Sequence, residues 1–308
     1  MKKIVISEFM DLPAVQTLQA KYRVLYDPGL VDDVSRSIQE VADADAVIVR
    51  NRTQVRGELL AAMTKATVIG RLGVGLDNID VSACEARGMK VIPATGANAL
   101  AVAEYVICTA MVLLRGAYSS SDEVASGQWP RPRLSNGREV SGKTLGLIGF
   151  GGIGRLTAGL AKGLGLNVVA YDPMIATDST VWAQAGVGCR TLGDLLAQSD
   201  VVSLHVPLTP NTQNLLSAEL VAQMKQGAIV INTARGDIAD EAAIAAAIRA
   251  GRLGGAAFDV FNPEPLKGGN PWEGCPNVIL TPHVAGVTAE SNERVSTLIA
   301  AEVAKALG

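Results

Sequence analysis

Histidine is scarce in this 308-residue chain, which has only His205 and His283. Any imidazole acid or base working near neutral pH must therefore be one of these two. Cysteine offers no more: Cys84, Cys108, Cys189 and Cys275 are scattered with no C-x-x-C pair, which argues against both a metal site and a disulfide framework. Neither sign of charge prevails, since 27 basic residues against 30 acidic ones give −3, so neither nucleic acid nor a membrane surface is an expected partner. Long hydrophobic runs are missing too. The N-terminus, MKKIVISEFMD, has three apolar residues before Ser7 and reads as a first strand rather than a leader. The most apolar segment, 99–114, is interrupted by Glu104 and is too short to span a bilayer, so it is expected to be a buried helix. With no internal repeat or low-complexity tract, the expectation is a cytoplasmic globular protein.

What is present is a core-rich composition, 48% hydrophobic and 19% charged, long enough for one large or two medium domains. The most informative stretch runs through 142–172. A short apolar run over 144–148 is followed by Gly149, Gly151 and Gly154 in the order G-x-G-x-x-G, then by Leu156, Leu160 and Leu164 at helical spacing, and by a second apolar run ending on Asp172. Strand, glycines, helix, strand and terminal acid together form a dinucleotide-binding unit. Gly149 permits the tight turn, Gly151 admits a pyrophosphate against the backbone, and Gly154 lets helix lie on strand. Asp172 would bind the adenosine ribose hydroxyls and repel the extra phosphate of NADP, so NAD is the expected cofactor. The segment 137–144 also matches G-x-x-x-x-G-K-[ST], but a phosphate-binding loop of that type needs a strand before it and a helix after it. Here the order is reversed, and the match is read as coincidence.

Elsewhere, short apolar runs alternate with amphipathic stretches. Strands are expected near 4–6, 24–26, 46–49, 68–69 and 91–92, and after the central unit near 201–205, 228–232, 255–259 and 278–281, giving six strands for the second half. Alternating strand and helix predicts parallel α/β sheets: a Rossmann-type doubly wound cofactor domain and a smaller flavodoxin-like α/β substrate domain. Polar residues after such strands face the ligand crevice. Arg235 follows one of them, and its planar fork suits a carboxylate, although a surface ion pair is the commoner fate of an arginine. Glu264 and Asp259 follow another strand, and His283 a third. Each histidine, taken alone, could equally be structural. In the first half, Arg50, Asn51 and Arg52 end a strand; arginines flanking one residue in β geometry would point the same way and suit a second anionic group. The turn at Gly73, Val74 and Gly75 could present N–H groups to an anion.

A series of motifs in order, GRLGVGLDNID (70–80), GKTLGLIGFGGIG (142–154), HVPLTPNT (205–212), INTARG (231–236), FDVFNPEP (258–265) and PHVAG (282–286), resembles the D-isomer-specific 2-hydroxyacid dehydrogenases. The resemblance implies a substrate domain over 1–97 and 287–308, a cofactor domain over 98–286, and a homodimer joined through cofactor domains. It also implies roles: Arg235 holds the substrate carboxylate, His283 is the acid/base, Glu264 is its partner, and Asp259 meets the nicotinamide carboxamide. Gly152, Ile153, Val206, Pro207, Thr212, Thr233 and Ala234 would line the cofactor, Arg50, Asn51, Arg52, Val74 and Gly75 the substrate, and His205 would not be catalytic. Shorter segments such as IVRNRT and VTAESNERVS resemble the bacterial branch that oxidises 3-sulfolactate to 3-sulfopyruvate. Phosphoglycerate dehydrogenase, or hydroxypyruvate or glyoxylate reductase, is the alternative within the family, and an NAD-sensing corepressor the alternative outside it. A Glu at 264 disfavours formate dehydrogenases, which resemble the chain but use Gln there. Two departures from the family pattern stand out, Asp237 in place of a second Gly and Asn262-Pro263 in place of an acidic pair.

Overall fold

Five strands, β1 (Lys3–Ile6), β2 (Arg23–Tyr26), β3 (Ala46–Val49), β4 (Val68–Arg71) and β5 (Lys90–Pro93), form one parallel sheet in the order β2-β1-β3-β4-β5. The computed structural model describes all residues, Met1–Gly308. It divides the chain into two units, Met1–Asn98 with Val287–Gly308, and Ala99–Gly286. In the first unit every residue of β1 and β3 is buried, as a parallel sheet covered on both faces requires. Alternate side chains serve alternate faces: Ile4, Ile6 and Ile48 pack with Val15 and with Ile299 and Val303 of the last helix, whereas Val5, Val47 and Val49 pack with Val41, Leu60 and Cys84. That last helix, Ala289–Leu307, starts at a capping box of Thr288 and Ser291 and buries Val295, Ile299, Val303 and Leu307 as one stripe. The strand order is the flavodoxin-like one.

The second unit holds β6 (Thr144–Ile148), β7 (Asn167–Tyr171), β8 (Gly188–Cys189), β9 (Val201–Leu204), β10 (Ile229–Asn232), β11 (Gly255–Phe258) and β12 (Val278–Leu280). All are parallel, in the order β12-β11-β10-β9-β6-β7-β8. Helices Ala99–Arg115 and Gly152–Gly163 cover one face through Val106, Ala110, Leu113, Ala158 and Ala161, and helices Leu192–Gln198, Ala218–Gln223 and Glu241–Arg249 cover the other. This is a doubly wound sheet, with seven strands instead of the six expected. The extra one, β8, is a two-residue edge strand, Gly188–Cys189, too short to show as an apolar run. The turn-rich stretch after residue 116 contains two short helices, Ser121–Ala125 and Arg131–Leu134. Thr144 opens β6, so the glycine-lysine pattern over 137–144 leads into a strand and not a helix. No single helix is long and apolar enough to cross a membrane.

Candidate active site

The chain reverses its direction of travel across the second sheet between β6 and β9, the place where open parallel sheets bind ligands. The glycine turn lies there. Gly149 has φ 97°, and a Cβ on it would stand 2.6 Å from the His205 carbonyl oxygen at the end of the neighbouring strand. No side chain fits that approach. Gly154, in the first turn of helix Gly152–Gly163, would bring a Cβ to 2.5 Å from the Gly149 carbonyl oxygen, so the helix sits hard against the turn. Gly151 differs from both: a Cβ there meets nothing within 4 Å. The turn therefore leaves open space at the N-terminal end of a three-turn helix, together with Gly152 and Ile153, as a pyrophosphate requires.

Asp172 directly follows β7 and already supports this turn. Its Oδ2 accepts the Phe150 N–H at 2.8 Å and its Oδ1 the Met174 N–H at 2.9 Å. Beyond β9, Thr212 Oγ1 donates to the Pro207 carbonyl at 2.6 Å and accepts the Thr209 N–H at 2.7 Å, which folds the loop carrying Val206 and Pro207 back on itself. His205 bonds through Nε2 to Ser203 Oγ at 2.9 Å, while its Nδ1 is buried without a partner. Burial pushes its pKa down to about 4, so the ring is neutral at physiological pH.

The chemistry-bearing side chains follow three adjacent strands, β10, β11 and β12. Buried Asn232 ends β10 and staples the next turn: its amide donates to the Arg235 carbonyl at 2.8 Å and its Oδ1 accepts the Ala234 N–H at 3.0 Å. Thr233 within that turn has a buried Oγ1 with no partner, a hydroxyl suited to a ligand. Glu264 Oε1 accepts the Phe261 N–H at 3.0 Å, and Oε2 lies 2.8 Å from His283 Nδ1. With Nδ1–H donating to Glu264, Nε2 is left as the ring's free base. Burial opposes ionisation of Glu264, but the hydrogen bonds from His283 and Phe261 and the charges of His283 and Arg235 outweigh it and hold the carboxyl below its ordinary range. His283 itself has φ 57°. Its turn hangs on Asp259, which is almost fully buried and accepts Thr281 Oγ1–H at 2.6 Å, Val284 N–H at 2.8 Å and Ala285 N–H at 2.8 Å. Three of a carboxylate's roughly four acceptor sites are thus taken within the protein. Tyr105 extends the chain with a 2.7 Å bond to Thr281 Oγ1. Asn232, Thr281 and Tyr105 were not legible as site residues. A polar Asn closing an otherwise apolar strand is the one signal that pointed to any of them.

In the first unit the strand ends behave differently from the β geometry expected at 50–52. The chain bends there because Glu8, buried at the end of β1, accepts the N–H groups of Arg50 at 2.8 Å, Arg52 at 3.1 Å and Thr53 at 2.9 Å. The two arginines consequently take different partners. Arg52 pairs with Asp32 on the surface. Arg50 donates to Asn292 Oδ1 at 2.8 Å and lies 5.7 Å from the Phe9 ring centroid, largely desolvated. Asn51 is exposed, and Val74 and Gly75 lie on the turn after β4, with the Val74 side chain exposed.

A doubly wound sheet with a glycine turn at its switch point, a carboxylate following the next strand and an imidazole–carboxylate pair defines a dinucleotide-dependent oxidoreductase. Residues 107–285 match the model of the D-isomer specific 2-hydroxyacid dehydrogenase, NAD binding domain. The chain is 49% identical over 308 residues to the (S)-sulfolactate dehydrogenase of Chromohalobacter salexigens, covering 100% of this chain and 99% of that one. It is 40% identical over 266 residues to the D-3-phosphoglycerate dehydrogenase of Archaeoglobus fulgidus, covering 86% of this chain but only 50% of that longer protein. Among solved structures, the TT0316 protein from Thermus thermophilus superposes with a TM-score of 0.88 at 30% identity, covering 97% of this chain and 94% of that one. The chain belongs to the D-isomer-specific 2-hydroxyacid dehydrogenases. It is an NAD-dependent oxidoreductase acting on the CH–OH group of a 2-hydroxy acid.

Proposed function

We propose that the protein interconverts (S)-3-sulfolactate and 3-sulfopyruvate, with Arg235, Glu264 and His283 as the reacting set. The observation that carries the mechanism is the 2.8 Å pairing of His283 Nδ1 with Glu264, which leaves Nε2 to exchange a proton. In the oxidative direction Nε2 takes the hydroxyl proton of the substrate, while the Glu264 carboxylate at Nδ1 keeps the ring oriented for that transfer. Arg235 holds the substrate carboxylate in a two-point grip and sets the C2–H bond in line. NAD would supply the hydride acceptor for C2. Gly149, Gly151, Gly152, Ile153 and Gly154 would hold its pyrophosphate, and Val206, Pro207, Thr212, Thr233 and Ala234 would line its path. Asp259 would offer its remaining acceptor site to the carboxamide. Asp172 favours NAD over NADP because a carboxylate repels a 2′-phosphate.

The substrate reading is supported by the full-length likeness to the Chromohalobacter enzyme and by chemistry. A sulfonate needs a second cationic contact, and Arg50 with the Val74–Gly75 turn is the proposed holder; Asn51 and Arg52 flank it. A homodimer is also proposed, formed by the second unit, where Tyr118 is 66% and Trp129 75% exposed.

The test is kinetic. H283N should lower turnover by about 10²-fold or more, the scale of a positioned acid/base, while NAD affinity by fluorescence stays within about twofold. Undiminished turnover would sink the assignment. Side-by-side rates with 3-sulfolactate, 3-phosphoglycerate and glycerate decide the substrate, and a faster rate on phosphoglycerate replaces the sulfonate reading.

A further inference from the structure

The loop that carries Arg235 and the loop that carries Glu264 meet at two points. At the first, Gly236 packs so closely that a Cβ would stand 2.4 Å from the carbonyl carbon of Phe261 and 2.6 Å from the nitrogen of Asn262. At the second, the Asn262 side-chain amide donates to Asp237 Oδ1 at 2.6 Å. Both loops are anchored on their far sides. The Asp237 carbonyl accepts the Asn214 N–H at 2.7 Å, and Glu264 spans Phe261 N–H and the His283 ring.

We infer that the Asp237–Asn262 hydrogen bond fixes the separation between Arg235 and the Glu264–His283 pair, so that both are positioning residues for hydride transfer. The inference rests on the roles proposed above for those three side chains. Arg235 fixes one end of the substrate and His283 Nε2 must reach its C2 hydroxyl, so any drift between the two loops moves the hydroxyl off the base. Drift is the expected fault when the tie is cut, because the remaining contact at Gly236 prevents the loops from closing further but does nothing to stop them from parting.

The test uses the full-length enzyme and whichever of 3-sulfolactate, 3-phosphoglycerate and glycerate the parent turns over fastest. N262A and D237A should each lower kcat about tenfold, less than the roughly 10²-fold cost of a 1 Å misplacement, with NAD affinity and Tm unchanged. D237A/N262A should be no slower than the slower single variant, because both remove one shared bond. D237N, which restores an acceptor in the same place, should recover most of the turnover lost in D237A. The inference is overturned if the single effects multiply in the double variant, or if N262A keeps kcat within about twofold of the parent. H283N serves as the control: if it too retains turnover, the assigned roles fail, whereas loss in H283N with none in N262A removes only the tie.

Discussion

The two histidines carry the same ring in opposite surroundings. His283 is paired with a carboxylate and partly open to solvent; His205 is buried, bonded on one nitrogen only, and held at a pKa of about 4 against an ordinary 6.5. Between those two values an unfolded chain binds more protons at residue 205 than the folded one. Stability from this residue is therefore complete above pH 6.5, falls as the pH drops toward 4, and is lost no further below that. At about 1.4 kcal/mol per pKa unit, the loss is bounded at roughly 3 to 4 kcal/mol. Urea unfolding of the parent between pH 7 and 4.5 should show this slope, and H205Q should flatten it; an equally steep curve in H205Q would place the acid sensitivity elsewhere. In sequence both histidines follow strands, and nothing in their immediate neighbours separated them. What separates them is partners from distant strands, which a linear reading reaches only through motif resemblance. The same limit applies to Arg50 and Arg52: they bend apart because of Glu8, which lies 42 positions before Arg50 in the chain.

At the scale of elements, the glycine turn and its helix were fully legible, because each glycine answers a separate steric demand. The structure ranks those demands. G154A would drive a Cβ into the Gly149 carbonyl at 2.5 Å, so it should lower Tm and weaken NAD together. G151A enters open space, and its backbone at φ −77° suits alanine, so Tm should stay unchanged while NAD affinity falls. Thermal melts with and without NAD check both, and equal loss of Tm in the two variants would contradict the assignment of that space to a pyrophosphate. Strands of four or five residues with buried apolar runs were also found close to their true bounds, since burial on both faces leaves a continuous hydrophobic signature. The edge strand β8 was not, because a pairing of Val169 with Gly188 and Ala170 with Cys189 is specified by the neighbouring strand and not by its own side chains.

For the whole molecule, composition bounded the class and motif order supplied the family, while the proposed association of two chains has only a fainter trace. Met111 on helix Ala99–Arg115, Tyr118 and Trp129 belong to one continuous stretch of the second unit and are all exposed. If that stretch is the proposed dimer face, size-exclusion chromatography with light scattering should give twice the chain mass of 32.0 kDa, and W129D should shift it toward one. A parent that runs at the mass of one chain removes the proposal.

One backbone angle has a meaning at this scale as well. His283 occupies the left-handed region at φ 57°, where an L side chain costs on the order of 1 kcal/mol and glycine is the residue that fits freely. A survey for stabilising replacements would therefore mark residue 283 among its first choices. Selection for folding alone would favour glycine in that turn, and an imidazole held there at a cost in stability is what the proposed acid/base role of His283 would require.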